Sequence, residues 1–259
     1  MRTPLSRPLA TPVAAAVAAL AFLLTSCSGT VQDAGGSDQA GSGSSSASSD
    51  SSAGSDGASQ TSGPCTYTET GNAAVPVELP SGEEATGSPR VTLTTSQGDV
   101  PIDLDTDLAP CTVASFLSLA EQGYYDDTTC HRLTTAGIFV LQCGDPTGSG
   151  AGGPGYQFED EVSDLERELQ CSGNACIYPT GTVAMANAGP GTNGSQFFLV
   201  YEDSPLPPAY TVFGTMSPSG LKVVKDVGFA GTLDGANPQD GPPKKETTIE
   251  SVSEPASSE

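Results

Sequence analysis

Basic side chains are scarce in this chain: nine Lys and Arg stand against 31 Asp and Glu, for a formal net charge of −22. So acidic a surface repels phosphate backbones, which sets nucleic-acid binding aside. Histidine is scarcer still. His131 is the single one, so a Ser–His or Cys–His nucleophile, or a histidine-rich metal site, would have to be built on that residue alone. The seven cysteines include no Cys-x-x-Cys pair, which removes the usual basis for a thiol oxidoreductase or a zinc ribbon. Tryptophan is absent. The apolar run Val13–Leu24 falls short of the ~20 residues that a spanning helix needs, and Thr11-Pro12 interrupts it on one side. No metal or cofactor is expected.

What is present begins with an export signal over residues 1–26. Arg2 and Arg7 precede the apolar run, and small residues follow it. Leu24-Thr25-Ser26-Cys27 resembles the bacterial lipobox, which implies acylation of Cys27 and an extracytoplasmic protein anchored to the cell membrane as a lipoprotein. Residues 28–63 are almost entirely Ser, Gly, Ala, Asp and Gln, with Val31 the one large aliphatic side chain. Such a segment buries too little apolar surface to offset its ordering entropy, so 27–63 reads as a lipid-anchored disordered linker. Its r.m.s. reach is roughly 30–36 Å at 5–6 Å × √n. Six further cysteines in an exported chain read as disulfides. Proximity singles out Cys171 and Cys176 and leaves the other pairings open.

Residues 64–89, rich in Pro and Gly, read as an extended N-terminal arm that Cys65 ties down. A folded domain follows over 90–254, with a disordered tail at 255–259. Val91, Leu93 and Thr95 alternate with polar residues, as do Val100, Ile102 and Leu104, which predicts a β-hairpin. Pro110 opens a helix whose apolar residues Val113, Phe116, Leu117 and Ala120 share one face, and Gly123 stops it. Strand-like runs follow at 129–134, 138–143, 181–186, 195–201 and 210–215. A second helix is expected at about 219–227 and a last strand at 247–252. The pattern predicts a mainly β fold: a closed eight-stranded antiparallel β-barrel capped by two α-helices.

Between Val91 and Leu221 the only basic residues are Arg132 and Arg167. Arg132 sits in Cys130-His-Arg-Leu-Thr-Thr-Ala-Gly-Ile-Phe-Val-Leu-Gln-Cys-Gly-Asp145. Its neighbour His131 faces the other way on a predicted strand and reads as structural. Gly148-Ser-Gly150-Ala-Gly152-Gly153 matches a dinucleotide-binding motif, but Pro154 and Gly155 stand where a helix must start, so it reads as a plain glycine-rich loop. A second informative run is Met185-Ala-Asn-Ala-Gly-Pro-Gly-Thr-Asn-Gly-Ser-Gln-Phe-Phe-Leu199. Taken one by one, the apolar members of these runs would pass as core and the amides as partners for buried backbone.

Together, with Tyr156–Glu161 and Val212–Gly214 in order, these runs resemble the cyclophilin family of peptidyl-prolyl cis-trans isomerases over about residues 90–252. The resemblance implies catalysis by Arg132, Gln142 and Asn187. It implies binding of proline-containing polypeptides by Phe139, Val140, Gly150, Ala186, Ala188, Gln196, Phe198, Leu206 and Tyr210. It also implies an isomerase of X–Pro bonds that accelerates folding of exported proteins; a proline-peptide binding module or holdase is the alternative. A monomer is expected. Three departures stand out. The segment between Arg132 and Phe139 is two residues longer than the family pattern, and Pro205 replaces the tryptophan that contacts cyclosporin in many eukaryotic members. Tyr210 stands where a histidine is usual. Weak cyclosporin binding is the expectation.

Overall fold

A computed structural model of the chain describes residue 61 and residues 63–233 and 237–254. The export signal, Cys27, nearly all of the linker and the tail 255–259 lie outside the described residues.

In chain order the strands are β1 (Thr68–Ala73), β2 (Arg90–Thr95) and β3 (Gly98–Leu104), then after helix α1 (Pro110–Glu121) come β4 (Thr128–Thr129), β5 (Arg132–Thr134), β6 (Val140–Cys143) and β7 (Pro154–Gln157). A single turn, α2 (Leu165–Glu168), precedes β8 (Gln170–Ser172), β9 (Ala175–Tyr178), β10 (Thr182–Met185), β11 (Phe197–Val200), β12 (Ser204–Leu206) and β13 (Val212–Met216). Helix α3 (Pro218–Gly228), β14 (Asp240–Gly241) and β15 (Thr248–Ser253) complete the chain.

The two main helices form where periodicity and caps predict them. Pro110 occupies the first turn of α1, where its missing N–H costs nothing. The N-cap Ala109 has no side chain to offer, and Glu161 substitutes from far along the chain. Its carboxylate accepts from the N–H of Cys111 (2.9 Å) and of Thr112 (2.7 Å), opposite charge to the helix N-terminus. In α3 the Ser217 hydroxyl accepts from the Gly220 N–H at 3.2 Å.

Ten strands form one curled antiparallel sheet in the order β14-β5-β6-β11-β10-β13-β3-β2-β15-β4. The expected closed eight-stranded barrel is therefore corrected to an open half-barrel. The reason lies at one seam. The predicted strand 129–134 breaks in two at Cys130-His131, where the Cys130 N–H donates to Thr247 at 2.8 Å, on the β15 side. From Arg132 onward the chain pairs with β6 instead. The two sides are thus joined through the backbone rather than by a hydrogen-bonded ladder, and β14 adds a further edge beyond β5. Small sheets β12-β9-β8 and β1-β7 flank the half-barrel. The arm is accordingly not merely extended but contributes β1, and Cys65 is bonded to Cys111.

Strand alternation separates two apolar clusters. Leu141 and Cys143 on β6, Val183 and Met185 on β10, and Phe197 and Leu199 on β11 enter the main core around Phe116, Tyr125 and Phe213. Val140, Ala184, Phe198 and Val200, one residue out of phase, face a smaller cluster with Tyr178 and Leu206. That second face carries the candidate site.

Candidate active site

Sheet register brings the first site residues together. Arg132 on β5 stands opposite Gln142 on β6, and Gln142 stands opposite Phe198 on β11. One sheet face thus aligns a guanidinium, an amide and an aromatic ring, although 66 positions separate the first from the last in sequence.

The polar half is a directed chain of hydrogen bonds. Arg132 Nε donates to Asp240 Oδ1 at 2.7 Å and Nη2 to Oδ2 at 2.8 Å. Nη1 donates to Gln142 Oε1 at 3.2 Å, Gln142 Nε2 to Gln196 Oε1 at 2.8 Å, and Gln196 Nε2 to the carbonyls of Gly150 (3.0 Å) and Gly152 (2.9 Å). A guanidinium only donates, so Gln142 must turn its oxygen to Arg132, which in turn fixes both amide orientations. The bond to Asp240 raises the Arg132 pKa against the opposing effect of burial, and the charge of Asp240 and the nearby Tyr210 raise it further. The same bond lowers the pKa of Asp240. Three of the five guanidinium N–H groups are engaged, which leaves two free of partners among the described residues.

The loop at the end of this chain is organised by Asp145, which is fully buried. Its carboxylate accepts from the N–H groups of Thr147 (2.7 Å), Gly150 (2.7 Å) and Gly152 (3.1 Å). Burial works against its charge, but the donors from Thr147, Gly152 and Gly150 outweigh it and hold the pKa below the ordinary value. The glycine-rich stretch is therefore a loop wrapped on a carboxylate, with β7 after it in place of a helix.

The apolar half is formed by Val140, Phe198 and Leu206, with half-buried Ala186 and Tyr210 beside them. Phe198 meets Tyr210 edge-on at 5.6 Å between ring centroids. Phe139 is placed differently from its sequence expectation. It packs with the main core, edge-on to Tyr201 at 5.9 Å, as its odd position on the β6 alternation requires. Ile138 lies against the site cluster instead. Asn187 turns its side chain inward: Nδ2 donates to Ala209 O at 2.8 Å and to Asp160 Oδ1 at 3.2 Å. Its backbone N–H and C=O have no partner among the described residues, so its main chain is what it offers outward. Ala188, next in line, spends its N–H on Thr192 Oγ1 at 2.8 Å. Gly150, at φ +82°, lies against the ring of His131, 3.4 Å from where a β-carbon would sit. His131 itself is half-buried, its two ring nitrogens are buried without a partner among the described residues, and burial lowers its pKa.

Three residues that matter here were not picked out from the sequence. Asp240 is one acid among 31, at the start of the short strand β14 and 108 positions from Arg132, and no local pattern marks it. Tyr178 fastens the Pro207–Tyr210 segment. Its hydroxyl lies 3.1 Å from Tyr210 O and 3.2 Å from Pro207 O, and burial pushes its pKa up to about 12. Asp160 holds the 187–193 loop through Asn187, Gly191 and Asn193.

Comparison with known proteins accords with this geometry. The family model described as cyclophilin type peptidyl-prolyl cis-trans isomerase/CLD matches residues 90–254. A protein of Mycobacterium tuberculosis (strain H37Rv) named probable peptidyl-prolyl cis-trans isomerase B is 48% identical over 198 residues, covering 73% of this chain and 63% of that protein. Its namesake in Mycobacterium leprae is 45% identical, with 73% and 65% covered. This chain thus spans just under two thirds of the length of these relatives. Among solved structures, a Cryptosporidium parvum cyclophilin type peptidyl-prolyl cis-trans isomerase aligns with a TM-score of 0.53 at 29% identity, covering 66% of this chain and 99% of that one. The match to the family model takes in the whole site face and most of the folded chain: this protein belongs to the cyclophilin-type peptidyl-prolyl cis-trans isomerase family.

Proposed function

We propose that this protein catalyses cis-trans isomerisation of X–Pro bonds in exported polypeptides, without covalent steps. The observation that carries the reading is Arg132, held from behind by Asp240 and Gln142 with two N–H groups free, beside an apolar face of Phe198, Val140, Leu206 and Tyr210. One of the solved cyclophilins was crystallised in the presence of the dipeptide Ala-Pro.

Rotation about an X–Pro bond faces roughly 18–20 kcal/mol because resonance stiffens the C–N bond. A turnover on the order of 10³ s⁻¹ corresponds to about 13 kcal/mol, so about 5–7 kcal/mol must be removed. In the twisted state conjugation is lost and the prolyl nitrogen gains a lone pair. The free N–H groups of Arg132 stabilise that state over the planar one. One charged hydrogen bond contributes about 1.5–3 kcal/mol, so two supply at most the required amount. Phe198, Val140 and Leu206 supply the rest by gripping the ring and excluding water, with Tyr210 beside them. The main chain of Asn187, flanked by Ala186 and Ala188, holds one side of the peptide. Gln142 and Gln196 hold the other, above Gly150.

The setting we infer is extracytoplasmic, with the domain tethered by acylated Cys27 through the 28–63 linker. Three disulfides among the described residues, Cys65–Cys111, Cys130–Cys143 and Cys171–Cys176, support an oxidising compartment. No helix among the described residues is long and apolar enough to cross a membrane. The deciding experiment is an isomerisation assay on an X–Pro peptide. Wild-type activity well above an Arg132→Ala control is expected; activity equal to that control leaves only a proline-peptide binding module.

A further inference from the structure

Next to the Arg132 face opens a cavity of about 390 Å³, continuous with it through Gln142, Gln196, Ala186 and Asn187. One wall is not part of the 90–254 segment at all. Thr70 and Asn72, on strand β1 of the N-terminal arm, line it together with the glycine-rich loop and Gln157.

The arm is held in that place by several independent links. The Cys65–Cys111 bond ties its start to α1. Strand β1 pairs with β7, Thr68 opposite Gln157 and Ala73 opposite Pro154, and the Ala74 N–H donates to Gly153 O at 2.8 Å. Gly155 makes the close approach possible. It sits at φ +84°, and a β-carbon there would lie 2.7 Å from the Ala73 methyl.

Among the described residues no Asp, Glu, Lys or Arg lines the cavity, in a chain whose net charge is −22. Its polar surface is neutral and partly unspent. The side chains of Thr70 and Gln157 have no hydrogen-bond partner among the described residues, and Asn72 has one long contact, 3.4 Å to Thr70 O. A carboxylate would enter with no cation to meet it, and an ammonium with no anion. A primary amide offers both donors and an acceptor to match these groups.

Building on the isomerase reading, we propose that the arm completes a second substrate subsite, and that this subsite takes the amide side chain of an Asn or Gln close to the X–Pro pair. The arm thereby acts as a specificity element of this chain, with Thr70 and Asn72 as its reading residues.

The test uses paired peptides with one X–Pro core, carrying Gln or Gly at each position flanking that core in turn. Catalytic efficiency and calorimetric affinity are measured for wild type, Thr70→Ala/Asn72→Ala and Asn72→Trp. At one flanking position wild type should favour Gln over Gly about tenfold, the size of one net hydrogen bond. The double alanine variant should bring that ratio close to one, and Asn72→Trp should invert it by filling the space. Both side chains are exposed, and the thermal midpoint checks that the fold is kept. An active wild type with no preference, or a preference that survives both variants, overturns the proposal. A wild type without isomerase activity defeats the parent reading instead, while the calorimetric Gln-to-Gly ratio still decides the subsite.

Discussion

Asp240 grips Arg132 through two parallel hydrogen bonds of 2.7 and 2.8 Å, across 108 residues of chain. Each free rotamer of a lone arginine on an open sheet face would point its charge elsewhere. The fork fixes the plane of the guanidinium, and with it the direction of the two N–H groups left over.

Asp240→Ala should therefore lower kcat/KM about tenfold, through misdirection of Arg132 rather than loss of binding. Arg132→Ala should cost about a hundredfold or more. Asp240→Asn, which keeps one acceptor, should recover part of the loss. Stability should move by less than about 1 kcal/mol, since both side chains are about 40% exposed (42% and 38%). Steady-state kinetics on the three variants check this; wild-type kcat/KM in Asp240→Ala would show that Arg132 needs no partner.

His131 predicts a pH effect on stability. Burial lowers its pKa, so the folded protein refuses a proton that the unfolded chain accepts. Between the lowered folded value and the unfolded value of about 6.5, stability falls as pH falls. Asp145 and Asp240, both lowered, act further down: their contribution is complete above about 3.9 and is lost below it. Thermal midpoints between pH 8 and 5 should decline for wild type and flatten for His131→Gln. Parallel curves would assign the decline elsewhere.

The buried Cys130–Cys143 bond staples the seam between β4 and β5 to β6, one residue from Gln142 and two from Arg132. Replacing both cysteines by serine should cost about 3 kcal/mol, as expected for a loop of this size. It should also lower kcat, because the Arg132 strand loses its anchor. Full activity in the reduced protein would confine the bond to a stabilising role.

Gly152→Ala is expected to damage the loop under Gln196. A β-carbon there would clash with Asp145 Oδ1, in a buried carboxylate already committed to its donors. A cost of about 1–3 kcal/mol follows from such overpacking. Denaturant unfolding measures it; a neutral result would mean the loop yields freely.

Cyclosporin should bind weakly. Pro205 is exposed in the middle of β12, paired with Ile177, where the family resemblance places a tryptophan in many eukaryotic members. A fluorescence or calorimetric titration gives the answer, and tight binding would count against the expectation.

Local order in the chain was enough for local structure. The alternation of 91–95 with 100–104 determined the β2-β3 hairpin, and the helical spacing behind Pro110 and around Leu221–Val227 determined α1 and α3. In each case neighbours in sequence share a face of one element. The scarcity of basic residues and the two motif runs pointed to Arg132, Gln142 and Phe198, which the sheet register sets side by side. The alternation of β6 was also readable, and it places Phe139 with Tyr201 on the core side rather than beside Phe198.

Other features depend on segments that meet only after the chain has folded. The bond from Asp240 to Arg132, the β1-β7 pairing that brings Thr70 and Asn72 to the groove, and Tyr178 under Tyr210 each join distant positions. The same holds for the Cys65–Cys111 and Cys130–Cys143 pairings, and for the open ladder where a closed barrel was expected. Side-chain periodicity constrains which face a residue occupies, but not which remote strand lies against that face. That choice belongs to packing of the whole domain, and so Arg132 is a residue the sequence names and the tertiary structure aims.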